Sequence, residues 1–414
     1  MGGDRPPVEP PVSVPSLADP AGLARFLRHH LLDEVIPFWT GQAIDPAGGI
    51  NTCISDDGVL ISREKWLWSQ WRAVWVFGTL FRLIDPDPHY LQIARSIRDF
   101  VAQHGWDERQ GGWVLALDGD GRVLRGYESI YTDAFAIGGC IALARAGDGD
   151  AMKLALRTAD HLTQRLRQPH ETLPHHPYPV DPGQRMHGIA MIFSLVFFEL
   201  GALTGETKYQ HLANELSDEI FGRFYRPRRD LILERMGADG MELPPPAGTA
   251  VVPGHVIEDM WFQIHIAHAA KNEARIQQCL HLLQRHLELG WDEPYGGLFL
   301  AIDADGHSPV GWSHSQCKIW WPHTEALYAL ALAHELCGQS WCVDWFDRMA
   351  DYAFRTFKTP WGEWRQKLTR DGQPLEDLVA LPVKDPFHLP RALIYTLRSL
   401  ARRVDRRPFS MSDL

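Results

Sequence analysis

The phrase "GWDERQGGWVLALDGDG" at residues 105–121 returns as "GWDEPYGGLFLAIDADG" at residues 290–306. Each copy holds an acidic turn, a Gly-Gly pair, an alternating apolar run and an Asp-rich turn closed by glycine. That order predicts a short β-hairpin, with glycine or aspartate where positive φ is required and alternation in between. Gly111 and Gly112 answer to Gly296 and Gly297, and Gly121 answers to Gly306. Looser copies end at Gly58 ("FWTGQAIDPAGGINTCISDDG"), Gly240 ("FYRPRRDLILERMGADG") and Gly372 ("FKTPWGEWRQKLTRDG"). The closing glycines step by 63, 119, 66 and 66 residues, so a sixth unit is expected near position 180. The sequence there, "HETLPHHPYPVDPGQ", keeps the turn residues and loses the hairpin. Six units of roughly sixty residues make a repeat architecture.

Between the hairpins the pattern turns helical. "HYLQIARSIRDFVAQH" (89–104) spaces Tyr90, Ile93, Ile97 and Phe100 at three to four residues, an amphipathic helix. "SIYTDAFAIGGCIALARAG" (129–147), "MIFSLVFFELGALTG" (191–205) and "TEALYALALAHELCG" (324–338) are apolar nearly all round, as helices buried on both sides are. Each unit therefore supplies one outer and one inner helix. A row of six such pairs leaves an apolar end exposed, and closing it into a ring removes the end. The expected fold is all-α: an (α/α)6 toroid whose hairpins return the chain from one helical layer to the other. An open α-solenoid is the alternative.

The Pro-rich start, residues 1–16, is expected to be a loose lead-in without the apolar core of a signal peptide. Residues 17–414 are expected to form one domain. A net charge of −11 and a pI near 6.0 argue against nucleic acid or an anionic membrane as partner. Six cysteines without a CxxC pair read as reduced thiols in a cytoplasmic protein. Sixteen tryptophans are many, and those beside polar residues (Trp66, Trp68, Trp71 and Trp75 around Arg72; Trp320 and Trp321) suit a cavity for a sugar.

Four stretches combine ionisable residues with apolar surroundings at a helix end. Arg72 stands in a tryptophan-rich helix, where pairing with a structural carboxylate is the plain alternative. In "VVPGHVIEDMWFQIHIA", His255 falls in the first helical turn with Glu258 on its face, an acid/base pair or an N-terminal cap. In "CKIWWPHTEALYALALAHE", Pro322 fits the first helical position, followed by His323 and Glu325. In "VKDPFHLPRALIYTLRSL", His388 precedes Pro390, which is expected to open the last helix. In a toroid these helix starts can gather at one mouth. "PHETLPHH" (169–176) lacks helical ligand spacing, so no metal is expected.

At these residues the chain resembles the N-acylglucosamine 2-epimerase family, with its cellobiose 2-epimerases and aldose–ketose isomerases. The matching motifs are "RAVW" (72–75), "PGHVIE" (253–258), "WWPHTEA" (320–326) and "FHLPRA" (387–392), which span almost the whole chain. The resemblance implies an (α/α)6 barrel. It implies His255 and His388 as acid/base residues, Arg72 on the sugar oxygen at C1 or C2, Glu258 orienting His255, and Glu325 as an essential carboxylate. Trp320, Trp321, His323, Trp75 and Met191 are the expected substrate contacts. One departure concerns a further histidine of the cellobiose 2-epimerases, whose place here falls on Met191 or Ile192; His187 is out of register by about one helical turn. This leans away from disaccharide substrates.

The implied reaction is C2 epimerisation of N-acetylglucosamine/N-acetylmannosamine or glucose/mannose by proton removal and return. Aldose–ketose isomerisation is the alternative, and a glycoside hydrolase or glycan-binding relative comes third. No redox cofactor or metal is needed for that chemistry, and nucleotide activation of the acylglucosamine type leaves no sequence signal. The expected partners are a monosaccharide substrate and a second copy of the chain in a homodimer.

Overall fold

The computed structural model describes residues 13–309, 313–377, 379 and 381–409. Most of the Pro-rich lead-in lies outside them. Leu17 is already fully buried, and its N–H donates to Asp347 Oδ1 at 2.9 Å.

Among the described residues, twelve helices of ten or more residues follow in strict alternation of outer and inner. The outer ones are α1 (Pro20–His29), α3 (Pro88–His104), α5 (Gly149–Arg165), α7 (Thr207–Glu219), α9 (Glu273–Gly290) and α11 (Ser340–Thr356). The inner ones are α2 (Leu67–Leu83), α4 (Ile130–Arg145), α6 (His187–Thr204), α8 (Pro253–Ala269), α10 (Trp320–Cys337) and α12 (His388–Asp405). Helix α1 runs on in a wider-wound form through His30–Val35 and Trp39–Ala43. Each inner helix packs on the next, and α12 packs back on α2, so the ring is closed. The expected toroid is the observed fold. Helix α6 is long and apolar enough to cross a membrane, but 83% of it is buried inside the ring.

The hairpins do more than reverse the chain. The five closing glycines, Gly58, Gly121, Gly240, Gly306 and Gly372, all have φ between +82° and +88°. Each donates its N–H to the carbonyl three residues back, at 2.9–3.2 Å. Five copies of one turn have been written with five different sequences. The sixth unit has no such hairpin, as expected; Gly183, at φ +75°, turns the chain into Gln184–Met186 instead. The residues just before each inner helix pair with the hairpin of the following unit. Lys65–Trp66 pairs with Ala116–Leu117, Gln184–Met186 with Arg235–Gly237, Ala250–Val251 with Ile302–Asp303, and Lys318–Ile319 with Lys367–Leu368. Ser129 bridges His175, and Lys384 donates its N–H to the Thr52 carbonyl at 2.7 Å, closing the circuit.

Outer and inner helices begin differently. Asp19, Asp87, Asp148 and Asn272 cap outer helices through their side chains. Five of the six inner helices start straight from extended residues, α12 following Phe387 in the helical region instead. None of the six has a side-chain hydrogen bond from its own capping residue, although the His388 N–H of α12 donates to Asp385 Oδ2 at 3.3 Å. Their N-terminal amides and the positive ends of their dipoles therefore gather around the hairpin mouth.

Gly297 makes the hairpin reading testable. It sits at φ +74°, and a Cβ there would lie 2.4 Å from the Tyr352 ring. Gly306, at φ +82°, would meet nothing within 4 Å. Gly306→Ala should cost about 1–2 kcal/mol of backbone strain, and Gly297→Ala roughly 1–3 kcal/mol more for overpacking. Urea unfolding of the two variants checks this; equal losses would remove the steric argument.

Candidate active site

One cavity opens at the hairpin mouth, and Arg72, Met191, His255, Glu258, Trp320, Trp321 and His388 all line it. The start of each helix explains why. Pro253 occupies the first position of α8, placing His255 in its first turn. Helices α10 and α12 begin two residues earlier than the prolines suggested, at Trp320 and His388, with Pro322 and Pro390 third in line. A proline is tolerated there because the first-turn N–H groups have no intrahelical acceptor. His388 is thereby the first residue of its helix.

The two imidazoles share one tryptophan. The Trp321 ring lies 5.4 Å from His255 and 5.5 Å from His388, centroid to centroid, at interplanar angles of 29° and 35°. Each histidine also rests on a buried carboxylate. His255 Nδ1 is 3.0 Å from Glu234 Oε2, and His388 Nδ1 is 2.8 Å from Glu325 Oε1. We assign Nδ1–H as donor in both, which makes Nε2 the unprotonated nitrogen of each neutral ring. Burial, reinforced by Arg72, lowers His388 to about 3, which keeps it a neutral imidazole. Glu234 is held at about 2: burial pushes it up, but His255 and His187 outweigh that.

Arg72 donates from Nη1 to Asp385 Oδ1 at 3.0 Å, and its guanidinium lies 4.0 Å from the Phe135 ring centroid, flanked by Trp68 and Phe387. The pairing with a structural carboxylate and the cavity-facing position are both real. Beneath it, Arg391 of α12 donates to Glu258 and lies 2.7 Å from Glu325 Oε1. Glu258, Glu325 and His388 bring ligand atoms within 4.8 Å of one another, a spacing a metal could use. The Arg391 guanidinium already balances both carboxylates, so the donor set does not fit a cation.

Several buried polar atoms of the cavity wall have no protein partner among the described residues: Trp68 Nε1, Ser69 Oγ, Arg72 Nε, Trp320 Nε1 and Glu234 Oε1. Four donor groups and an acceptor spread over an aromatic wall match a polyhydroxylated ring.

Four expectations need correction. His323 is not a substrate contact: it is fully buried, accepts the Leu298 N–H on Nε2 at 2.8 Å, and places Nδ1 2.7 Å from the Ile319 carbonyl. It is the fourth residue of α10, and the fourth residues of α2 and α4 do the same work. Gln70 Oε1 accepts the Ile50 N–H, and Asp133 Oδ1 accepts the Trp113 N–H. Trp75 lies one turn deeper, packed edge-on against Phe387 and Tyr395 outside the cavity. The carboxylate beside His255 is Glu234, whereas Glu258 turns to Arg391. Glu325 stands behind His388 rather than in the cavity wall.

Glu234, Asp385 and Arg391 were missed. Only Glu234 had a readable signal. Aligned on the strand pairs Trp106–Trp113, Tyr225–Ile232 and Trp291–Leu298, it occupies the place of Leu115 and Leu300. An ionisable residue at an apolar repeat position was there to be seen.

A family model described as N-acylglucosamine 2-epimerase (GlcNAc 2-epimerase) matches residues 48–391. The chain belongs to the N-acylglucosamine 2-epimerase family. The N-acylglucosamine 2-epimerase of Bos taurus is 29% identical over 377 residues, covering 87% of each chain. Among solved structures, the cellobiose 2-epimerase of Spirochaeta thermophila superposes with a TM-score of 0.79 at 22% identity, covering 94% of this chain and 98% of that one. A D-mannose isomerase superposes with a TM-score of 0.78 at 18% identity, covering 91% and 98%. These two likenesses establish the shared fold.

Proposed function

We propose that the protein is a sugar 2-epimerase that inverts C2 of an open-chain aldose, N-acetylglucosamine/N-acetylmannosamine or the parent hexoses. The observation that carries this is the pair of imidazoles packed against the same Trp321 ring, each backed at Nδ1 by a buried carboxylate. Epimerisation needs a base on one face of C2 and an acid on the other, and imidazole serves both roles near neutral pH.

In the direction that starts from neutral His388, its Nε2 takes the C2 proton. The electron pair moves into the C1 carbonyl and gives an enolate with its charge on the C1 oxygen. Arg72 and the N-termini of the inner helices supply fixed positive charge where that oxyanion forms. His255 then returns a proton to the opposite face, and the reverse reaction exchanges the two roles. Met186, Met191 and Ile192 form an apolar wall that favours an N-acyl substituent. Hydrolysis is disfavoured, because it asks for two carboxylates flanking a glycosidic bond and here Glu258 and Glu325 are tied to Arg391.

Six free cysteines, five of them buried, support a reducing, cytoplasmic setting for this reading. Exposed Val59, Leu60, Ile61, Val123 and Leu124 support a homodimer.

Proton NMR with N-acetylmannosamine and with mannose in deuterium oxide is the test. The expected result is loss of the C2 proton signal together with appearance of the C2 epimer. Ketose formation would transfer the reading to an isomerase, and no exchange with either sugar would overturn it.

A further inference from the structure

His187, the first residue of α6, is completely buried and lies outside the cavity, yet it touches the site through one intermediary. Its Nε2 is 2.8 Å from Asp259 Oδ2, and its Nδ1 is 3.9 Å from Glu234 Oε2. The second separation is that of an ion pair rather than a hydrogen bond. Its backbone N–H donates to the Glu234 carbonyl at 3.0 Å. Glu234 Oε2 in turn holds His255 Nδ1 at 3.0 Å. His255 and Asp259 are four residues apart on α8 and share one face. Asp259 is fixed by Gln263 Nε2 at 2.8 Å. The four side chains thus form a closed circuit: from α8 at Asp259 to α6, across to the connector at Glu234, and back to α8 at His255.

We propose that His187 is a positioning residue for the His255 base, acting through Glu234: held as an imidazolium by Asp259, it balances the Glu234 charge and fixes the tautomer of His255. The proposal rests on His255 acting as a base in sugar epimerisation.

Charge at each member supports it. Burial would lower His187, but Asp259 and Glu234 outweigh burial and raise it to about 9. Below that value it carries a proton, so the circuit is intact through the neutral range and loses its cation only as pH rises past it. The other titratable groups facing the circuit add no competing charge save one. His286 of α9 is lowered to about 4 by burial, and Cys279 of α9 is pushed well up, so both are neutral. Tyr131 and Tyr178 are raised by burial and stay protonated beside Glu234. Arg235 follows Glu234 in sequence, but its guanidinium lies 3.8 Å from Asp181 and 3.4 Å from Gln184 Oε1.

Removing the imidazolium leaves the Glu234 charge acting on His255 alone, so His255 holds its proton more tightly. In the direction in which His255 takes the C2 proton it must be deprotonated, so the acid limb of kcat/KM measured in that direction moves to higher pH. His388 does not set that limb, since it stays neutral down to about 3.

The experiment compares wild type, His187→Gln and Asp259→Asn. Each variant should move the acid limb up by about one pH unit, with a smaller change in the plateau. A purely structural role would lower the plateau and the unfolding midpoint while leaving the limb in place. Nitrogen-15 NMR of the histidine rings in the wild-type protein gives a reading independent of turnover and of variant folding. At pH 7.5 His187 should show two protonated ring nitrogens. A neutral His187 ring, or an unmoved limb in folded variants, overturns the proposal. A wild type that exchanges no sugar proton overturns the epimerase reading instead, and leaves the NMR result to decide the relay.

Discussion

Replacing His388 with asparagine should reduce epimer formation by about 10²–10⁴-fold, the usual cost of losing a general base. The same change at His255 should be as damaging, because inversion needs a proton acceptor on one face and a donor on the other. The two variants should differ from a dead enzyme in one respect. A single remaining imidazole can take the C2 proton and return it to its own face. One variant should then wash the C2 proton out into deuterium oxide while making no epimer. His388 is the better candidate to act alone, because burial and Arg72 keep it neutral; His255→Asn is therefore the variant expected to retain exchange. Asparagine can still donate from its amide to Glu234 or Glu325, which limits disturbance of the wall. Turnover and deuterium incorporation on N-acetylmannosamine, measured side by side, check the scheme. Near-normal epimer formation by either variant would exclude that histidine as an obligatory base.

The fold was legible because the repeat is written in the hairpins rather than the helices. A turn that demands φ near +85° leaves little choice but glycine, so five closing glycines kept a visible period while the helices around them drifted. The unit near position 180 escaped full reading because its connector lacks the hairpin. The helix-start residues of the site were legible for a related reason: proline and glycine mark those starts, and His255 and His388 stand beside them. What the sequence hid was pairing between distant segments. Asp385 meets Arg72 across 313 positions, and Glu258 meets Arg391 across 133. Spacing along one helix placed Glu258 on the His255 face, and the missing information was that Arg391, arriving from another helix, takes that carboxylate. His323 failed for the opposite reason. Its neighbours looked chemical, whereas comparison of the fourth residues of α2, α4 and α10 shows a polar side chain latching a hairpin N–H. Residue type alone could not separate a latch from a ligand.

Arg391→Met should be the most destabilising single change at the site. The guanidinium is 4% exposed, reaches Glu258 and lies 2.7 Å from Glu325, and its carbon is 4.4 Å from the Phe387 ring centroid. Methionine fills much of the same volume against those apolar faces, so lost packing is the smaller effect. The larger one is electrostatic: two buried carboxylates remain without their shared cation. Breaking a buried pair from one side costs about 3–5 kcal/mol. Burial already raises Glu325, and Arg391 is the main influence opposing it. Without Arg391 that carboxyl should take up a proton, which turns it from acceptor to donor toward His388 Nδ1. His388 must then carry its own proton on Nε2, the wrong tautomer for removing the C2 proton. Activity should fall with stability, but by a separable route. Glu325, already raised by burial, takes up its proton more readily once Arg391 is gone, so the stability deficit relative to wild type should be smaller at about pH 5 than at about pH 7. The activity deficit should persist over the same interval, because protonation restores charge balance and fixes the wrong tautomer. Urea unfolding and kcat at both pH values test this. A stability deficit that stays constant or grows on acidification would mean that Arg391 serves packing rather than charge.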